Sequence, residues 1–454
     1  MISKFINREK EIEILEKEWV KGNSLIIIYG RRRIGKTELI KQFIKNKPHI
    51  SYIFPEAAKK TQLNEFKQLV AFSLKDELLM NIEITDWYSM FDYISRIIPD
   101  NYCLNLDEFT FGIKSDRKIL SDLQRIWDQK FKEKKITIIL SGSLLGMVHE
   151  DILSHTSPLY GRRSRDILLE ELSFWDSKKF MDIPTEEFVK FYLALGGVPE
   201  YLLAASDYKK FDDFIKEEFF NKKGYFYREI YFLLSQDFRE IQTYFSILQA
   251  VAYGNTKPNE IGNFIGKNTR EIYPYMENLI RLGMVRREET VIGKTSGLYF
   301  LKECFIDLWF NFVHKYRGQI EMNESFTVNK RELDAYFGKR FEQLAKELII
   351  KKKPFEFQKI GGWWHKDKEI DVVALNNETK EIAFFEVKWG DIEIKAARNI
   401  LNELKEKSKF VKWNDEKRRE YYGIIAREIE DKESLIKGGF LVFDLDDFAA
   451  SGSA

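Results

Sequence analysis

The sequence predicts an α/β fold built in modules: an N-terminal parallel sheet covered by helices, a helical lid, a helix-turn-helix unit ending in a hairpin, and a separate C-terminal α/β domain. Three observations carry this. Apolar runs of strand length alternate with amphipathic stretches through residues 24–143, the pattern of parallel strands joined by helical crossovers. Between 241 and 300 the pattern changes to helix, turn, helix and two short strands. At 454 residues the chain is also too long for one ordinary core.

In chain order, the first sheet takes strands from 25–29, 50–54, 102–106 and 136–140. An amphipathic helix starts near Glu38. Residues 174–238 read as helical, interrupted at Gly196-Gly197-Val198-Pro199, since glycine and proline both end helices. The two short strands of the next unit surround Gly293, and an aromatic helix follows through Tyr316. A helix from about Arg331 then leads to strands at 370–375 and 382–387, a charged helix over 394–409, and strands near Tyr421 and Phe440. The expected domains are 1–172, 173–238 (lid), 239–316 (winged helix) and 317–450.

Composition narrows the function. Lys and Arg number 73 against 72 Asp and Glu, so no global field draws the chain to nucleic acid or to an anionic membrane, and such a partner must meet a local patch. The two cysteines, Cys103 and Cys304, have neither metal-type nor disulfide-framework spacing, which fits a reducing cytoplasm. The apolar runs fall short of the roughly 20 residues a membrane span needs, so no membrane partner is expected. The start, Met1 to Lys10, is charged and without an apolar secretory h-region, so export is not expected.

Gly30-Arg31-Arg32-Arg33-Ile34-Gly35-Lys36-Thr37 fits the Walker A pattern between an apolar strand and a helix, making the first domain a P-loop NTPase sheet. Glycines let the backbone wrap phosphates, and the helix N-terminus favours the anion. The nucleotide-contacting set is Gly30, Arg33, Ile34, Gly35, Lys36, Thr37 and Glu38, with Lys36 reaching the β and γ phosphates of ATP and Thr37 ligating Mg2+. Asp107-Glu108, closing the strand at 102–106, resembles Walker B, with Asp107 holding magnesium through water and Glu108 orienting or deprotonating the attacking water. In Ser141-Gly142-Ser143 a polar group, Ser143, can sense the γ phosphate, although Ser-Gly-Ser is also turn chemistry. Arg162 in Tyr160-Gly161-Arg162-Arg163 can meet transition-state charge from the same or a neighbouring subunit, so a homo-oligomer is compatible. A solvated surface loop accounts equally well for that spacing.

With Phe5-Ile6-Asn7-Arg8-Glu9, the Walker pair, Gly161-Arg162 and Gly196-Gly197-Val198-Pro199-Glu200-Tyr201 together, the chain resembles the archaeal-type ATPases of the STAND branch of AAA-like proteins, followed by the DUF234 domain. The resemblance implies an ATP/ADP switch with Asn7, Arg8, Val198 and Pro199 near the adenine. Arg163-Ser164 departs from the less charged pair of such families, leaving open which arginine acts.

Toward the C-terminus, Glu386 and Lys388 project to one face of a strand, and Asp371 lies on the strand before it. The alternative is a plain exposed pair, since Glu-x-Lys is frequent in a chain this charged. Asp followed by Glu-x-Lys across a hairpin, flanked by Gly361-Gly362-Trp363-Trp364 and Trp389, is similar to the PD-(D/E)XK core of restriction-endonuclease-like domains. That resemblance implies a second Mg2+ or Mn2+ on Asp371 and Glu386, with Lys388 activating water, Glu342 assisting, and DNA as the partner. Residues 255–300 hold seven basic residues (Lys257, Lys267, Arg270, Arg281, Arg286, Arg287, Lys294) against five acidic ones, so the winged helix either reads DNA or serves as an intramolecular contact. The competing class is an ATP-binding scaffold whose C-terminal domain binds without cutting.

Overall fold

Strand β1 (Ser24–Tyr29) is buried along its whole length, as a central parallel strand must be when helices cover both faces. In the computed structural model, which describes residues 5–238, 240–293, 297–322, 326–415 and 417–449, the chain divides into two compact units, Met1–Glu171 and Leu172–Ala454. Lys294 and the terminal residues 451–454 lie outside the described residues.

The first unit is a five-stranded parallel sheet. Helix α1 (Glu9–Lys21) precedes β1 and α2 (Lys36–Ile44) follows it; then come β2 (His49–Ile53), β3 (Tyr102–Asp107), helix α3 (Ile119–Gln129), β4 (Ile136–Gly142) and β5 (Arg165–Leu168). The spatial order is β2-β3-β4-β1-β5, every neighbouring pair parallel. Leu15 of α1 and Leu39, Ile40, Phe43 and Ile44 of α2 close over Ile26 and Ile28, so the helix that carries the phosphate motif is pinned by its apolar stripe. Strand β5 stands outside the predicted alternation. Of its four residues only Ile167 is buried, so an edge strand that shows one apolar side chain carries no periodic signal.

In the second unit, α4 (Thr185–Leu195) and α5 (Pro199–Ala205) are separated by the Gly196-Gly197 break. A Cβ on Gly197 would lie 1.9 Å from the Leu172 carbonyl oxygen, and the Leu172 amide donates to the Gly197 carbonyl at 2.8 Å. The break therefore permits two backbones to touch. Pro199 sits in the first turn of α5, where its missing amide costs nothing.

Helices α6 (Ile241–Ala252), α7 (Pro258–Ile265) and α8 (Thr269–Arg281) run into a hairpin of β6 (Val285–Glu288) and β7 (Leu298–Leu301). Asn268 and Glu271 form a reciprocal cap that starts α8. The chain beyond β6 reaches the C-terminal sheet, where the Val291 amide donates to the Gly362 carbonyl at 3.0 Å. Val291 and Ile292 also pack against a core containing Trp363, Ile370 and Phe384. Glu288 accepts from Gln343 (3.3 Å) and Lys346 (3.4 Å) on helix α9 (Lys330–Lys352).

After α9 come β8 (Lys359–His365), β9 (Lys368–Asn376), β10 (Glu381–Ile392), helix α10 (Ile394–Ser408), β11 (Arg419–Ile429) and β12 (Leu441–Phe443). The sheet order is β12-β11-β10-β9-β8, antiparallel for β8-β9-β10 and parallel for β10-β11-β12. Among the described residues no helix is long and apolar enough to cross a membrane.

Candidate functional site

At the end of β1 the chain turns under tight steric control. A Cβ on Gly30 would lie 2.5 Å from the Leu169 carbonyl oxygen. Arg33 (φ 69°) and Gly35 (φ 92°) both adopt left-handed backbone, and Gly35 opens α2. Ile34 is buried in the core and anchors the loop from below. The buried Lys36 ammonium donates to the carbonyls of Gly30 (2.9 Å) and Arg31 (3.0 Å), which arches the loop over its own side chain. The Glu38 carboxylate pairs with Lys41 at the helix surface, 2.7 Å away.

Two motifs distant in sequence meet here. The Thr37 hydroxyl donates to Asp107 Oδ2 at 2.8 Å. Ser141 on β4 hydrogen-bonds the other oxygen of Asp107 and accepts from the Glu108 amide at 3.2 Å. Glu108, in left-handed backbone (φ 51°) just past β3, accepts from the Ser143 hydroxyl (2.6 Å) and amide (3.2 Å). The sequence singled out Ser143 and left Ser141 unassigned. Ser141 faces Asp107 from the end of β4, and Ser143, just past that strand, reaches Glu108.

The outer residues are held otherwise. Asn7 and Arg8 both have positive φ (58° and 79°), and the Arg8 guanidinium donates to the carbonyls of Ile34 (3.4 Å) and Glu170 (2.5 Å) and pairs with Glu11 at 3.3 Å. Arg162 is bound by Asp128 of α3, Nε reaching both carboxylate oxygens at 2.9 and 3.0 Å and Nη2 one of them at 2.8 Å. Arg163 donates to the Leu153 carbonyl at 3.1 Å and lies 3.5 Å from Asp166. Val198 and Pro199 belong to the second unit, Val198 buried there.

Residues 5–205 match the family described as an ATPase domain predominantly from Archaea, and residues 309–400 match DUF234, described as archaeal and bacterial proteins of unknown function. An uncharacterized protein of Methanocaldococcus jannaschii is 35% identical over 457 residues, spanning 98% of this chain and 100% of that relative. The chain belongs to this archaeal ATPase family. A protein of Pyrococcus horikoshii described as ATP-binding is 24% identical over 247 residues, 45% of this chain and 75% of its own. The Walker-type ATPase of Pyrococcus abyssi shares the fold at a TM-score of 0.52 and 19% identity, covering 68% of this chain and 97% of that one.

The chain carries a second cluster toward its C-terminus, most of it within the residues that match DUF234. Asp371 on β9 accepts from the Val387 amide at 2.7 Å, Lys388 donates to Glu386 at 2.8 Å, and Lys407 of α10 reaches both Glu386 oxygens at 3.2 and 3.0 Å. Burial, then the adjacent Glu386, pushes the Asp371 carboxyl up to about 6. Burial, with Asp371 and Glu369 nearby, raises Glu342 on α9 to about 8. Burial opposes the Lys388 ammonium, but Glu386, Asp371 and Glu342 more than offset it and hold its pKa above the usual lysine range. The four residues of the predicted set thus share one electrostatic environment. Among the described residues no three His, Cys, Asp or Glu side chains are gathered in a metal-ligating set. Trp389 packs against Phe337 and Phe341 of α9, and Trp363 lies in the sheet core, so both tryptophans build the frame around the cluster.

Proposed function

We propose that this chain binds and hydrolyses ATP and uses the nucleotide state to control a DNA-cleaving site in its C-terminal domain. The observation that carries the first half is the 2.8 Å bond between Thr37 and Asp107, which joins two hard oxygen donors from motifs 70 residues apart. That donor set fits a magnesium ion. Magnesium, when bound, supplies the charge that neutralises the β and γ phosphate oxygens. Lys36 exchanges its loop carbonyls for those oxygens, and the amides at the start of α2 complete the cradle. Glu108, aimed by Ser143, accepts the proton of the attacking water. Arg162 meets transition-state charge by exchanging Asp128 for a phosphate oxygen. Asn7, Arg8, Val198 and Pro199 carry their adenine role on the family resemblance alone.

In the C-terminal cluster, Asp371 and Glu386 supply the hard oxygens for Mg2+ or Mn2+, Lys388 lowers the cost of deprotonating a water, and Glu342 holds a proton beside it. The winged-helix reading of α6 to β7 takes an intramolecular form, supported by the Val291–Gly362 bond. A second reading, an ATP-binding scaffold without cleavage, is favoured by one observation: Lys388 and Lys407 together engage both oxygens of Glu386.

One experiment separates the readings. ATP turnover is measured beside cutting of plasmid and linear DNA with magnesium or manganese, for wild type, Glu108→Gln and Lys388→Ala. The switch reading expects Glu108→Gln to slow turnover about a hundredfold or more while keeping nucleotide, and Lys388→Ala to abolish cutting. Equal turnover in wild type and Glu108→Gln, with no Lys388-dependent cutting, selects the scaffold.

A further inference from the structure

Beside the Glu386 cluster, the end of α10 opens into a groove of about 520 Å³ lined by Lys368, Lys405, Lys407, Glu403, Glu406 and Phe410. Phe410 is 50% exposed. The Lys368 ammonium lies over that ring, 4.7 Å from its centre, and the Lys405 ammonium lies over the Phe440 ring at 4.7 Å. Lys407 reaches from the groove to Glu386. Glu406 is matched by Lys409 at 2.6 Å and Lys407 by Glu386 at 3.0 Å, which leaves Lys368 and Lys405 against Glu403 in the lining.

An exposed ring with one ammonium over it and two further lysines in the same groove suits a ligand with anionic charge along its length and a free π-face. A paired duplex hides its base faces in the stack, whereas a single strand offers them. We propose that this groove binds single-stranded nucleic acid, with a base stacked on Phe410 and the neighbouring phosphates on Lys368, Lys405 and Lys407. Lys407 then links the bound strand to Glu386. The proposal rests on the reading that the C-terminal domain engages nucleic acid, and it names the strand form and the residues that hold it.

The test is binding, without metal or ATP, so that no cutting enters. Fluorescence anisotropy is read with full-length protein in EDTA, using a labelled oligothymidylate of about 15 nucleotides and a hairpin duplex of matched length. Single strand should bind more tightly than duplex. Phe410→Ala should weaken single-strand binding at least about fivefold. The pair Lys405→Ala with Lys407→Ala should weaken it too and flatten the salt dependence by about 0.7 per lysine, and the corresponding arginine pair should restore both. Tighter duplex binding, or variants that bind as wild type does, overturns the proposal. Should binding follow these residues while Lys388-dependent cutting is absent, the cleavage reading fails and the groove stands; the reverse pattern sinks only the groove.

Discussion

At the scale of single residues, charge placement makes a prediction that needs neither ligand. Glu342 is pushed up to about 8 by burial and by Asp371 and Glu369. Its folded value lies above its unfolded one, so the neutral carboxyl stabilises the fold fully below the unfolded value, and that contribution is lost as pH rises through about 8. Glu342→Gln keeps the shape without the charge. In metal-free buffer it should melt close to wild type near pH 4 and be more stable by roughly 2 kcal/mol or more above pH 8. Identical melting curves at both pH values would contradict the placement of Glu342 beside Asp371. Walker A, Asp107-Glu108 and Glu386-x-Lys388 were legible in the sequence as local patterns, and the structure brings Thr37 to Asp107 and Lys388 to Glu386. Lys407 was not, since it reaches Glu386 only after α10 folds back along the sheet, and no local pattern records that return.

At the scale of elements, strands buried on both faces announced themselves as apolar runs, while β5 and β8 did not. Strand β5 buries only Ile167, and β8 contains Gly361 and Gly362, which have no side chains to carry a strand pattern. The contact made by the chain beyond β6 was equally hidden, because it depends on two elements some 70 residues apart meeting through Val291 and Gly362. It carries a prediction: Ile292→Asp places an unpaired carboxylate against the Trp363 core and should destabilise the second unit by roughly 1–3 kcal/mol, with faster amide exchange in β8. Unchanged exchange in β8 would show that the segment beyond β6 is not docked there in solution.

At the scale of the whole molecule, the chain is a member of an ATPase family in which the Walker motifs and a carboxylate-lysine cluster occupy different compact units. Everything about coupling depends on the first site holding its nucleotide by the loop around Lys36. The most direct measurement is equilibrium binding of ATP with magnesium to full-length wild type and Lys36→Ala, with folding of both checked by circular dichroism. The account predicts saturable binding by wild type and a loss of at least about tenfold in affinity for the folded variant, since a charge-assisted contact to the phosphates is removed. Equal affinity in the two proteins, or no binding by folded wild type, would contradict it.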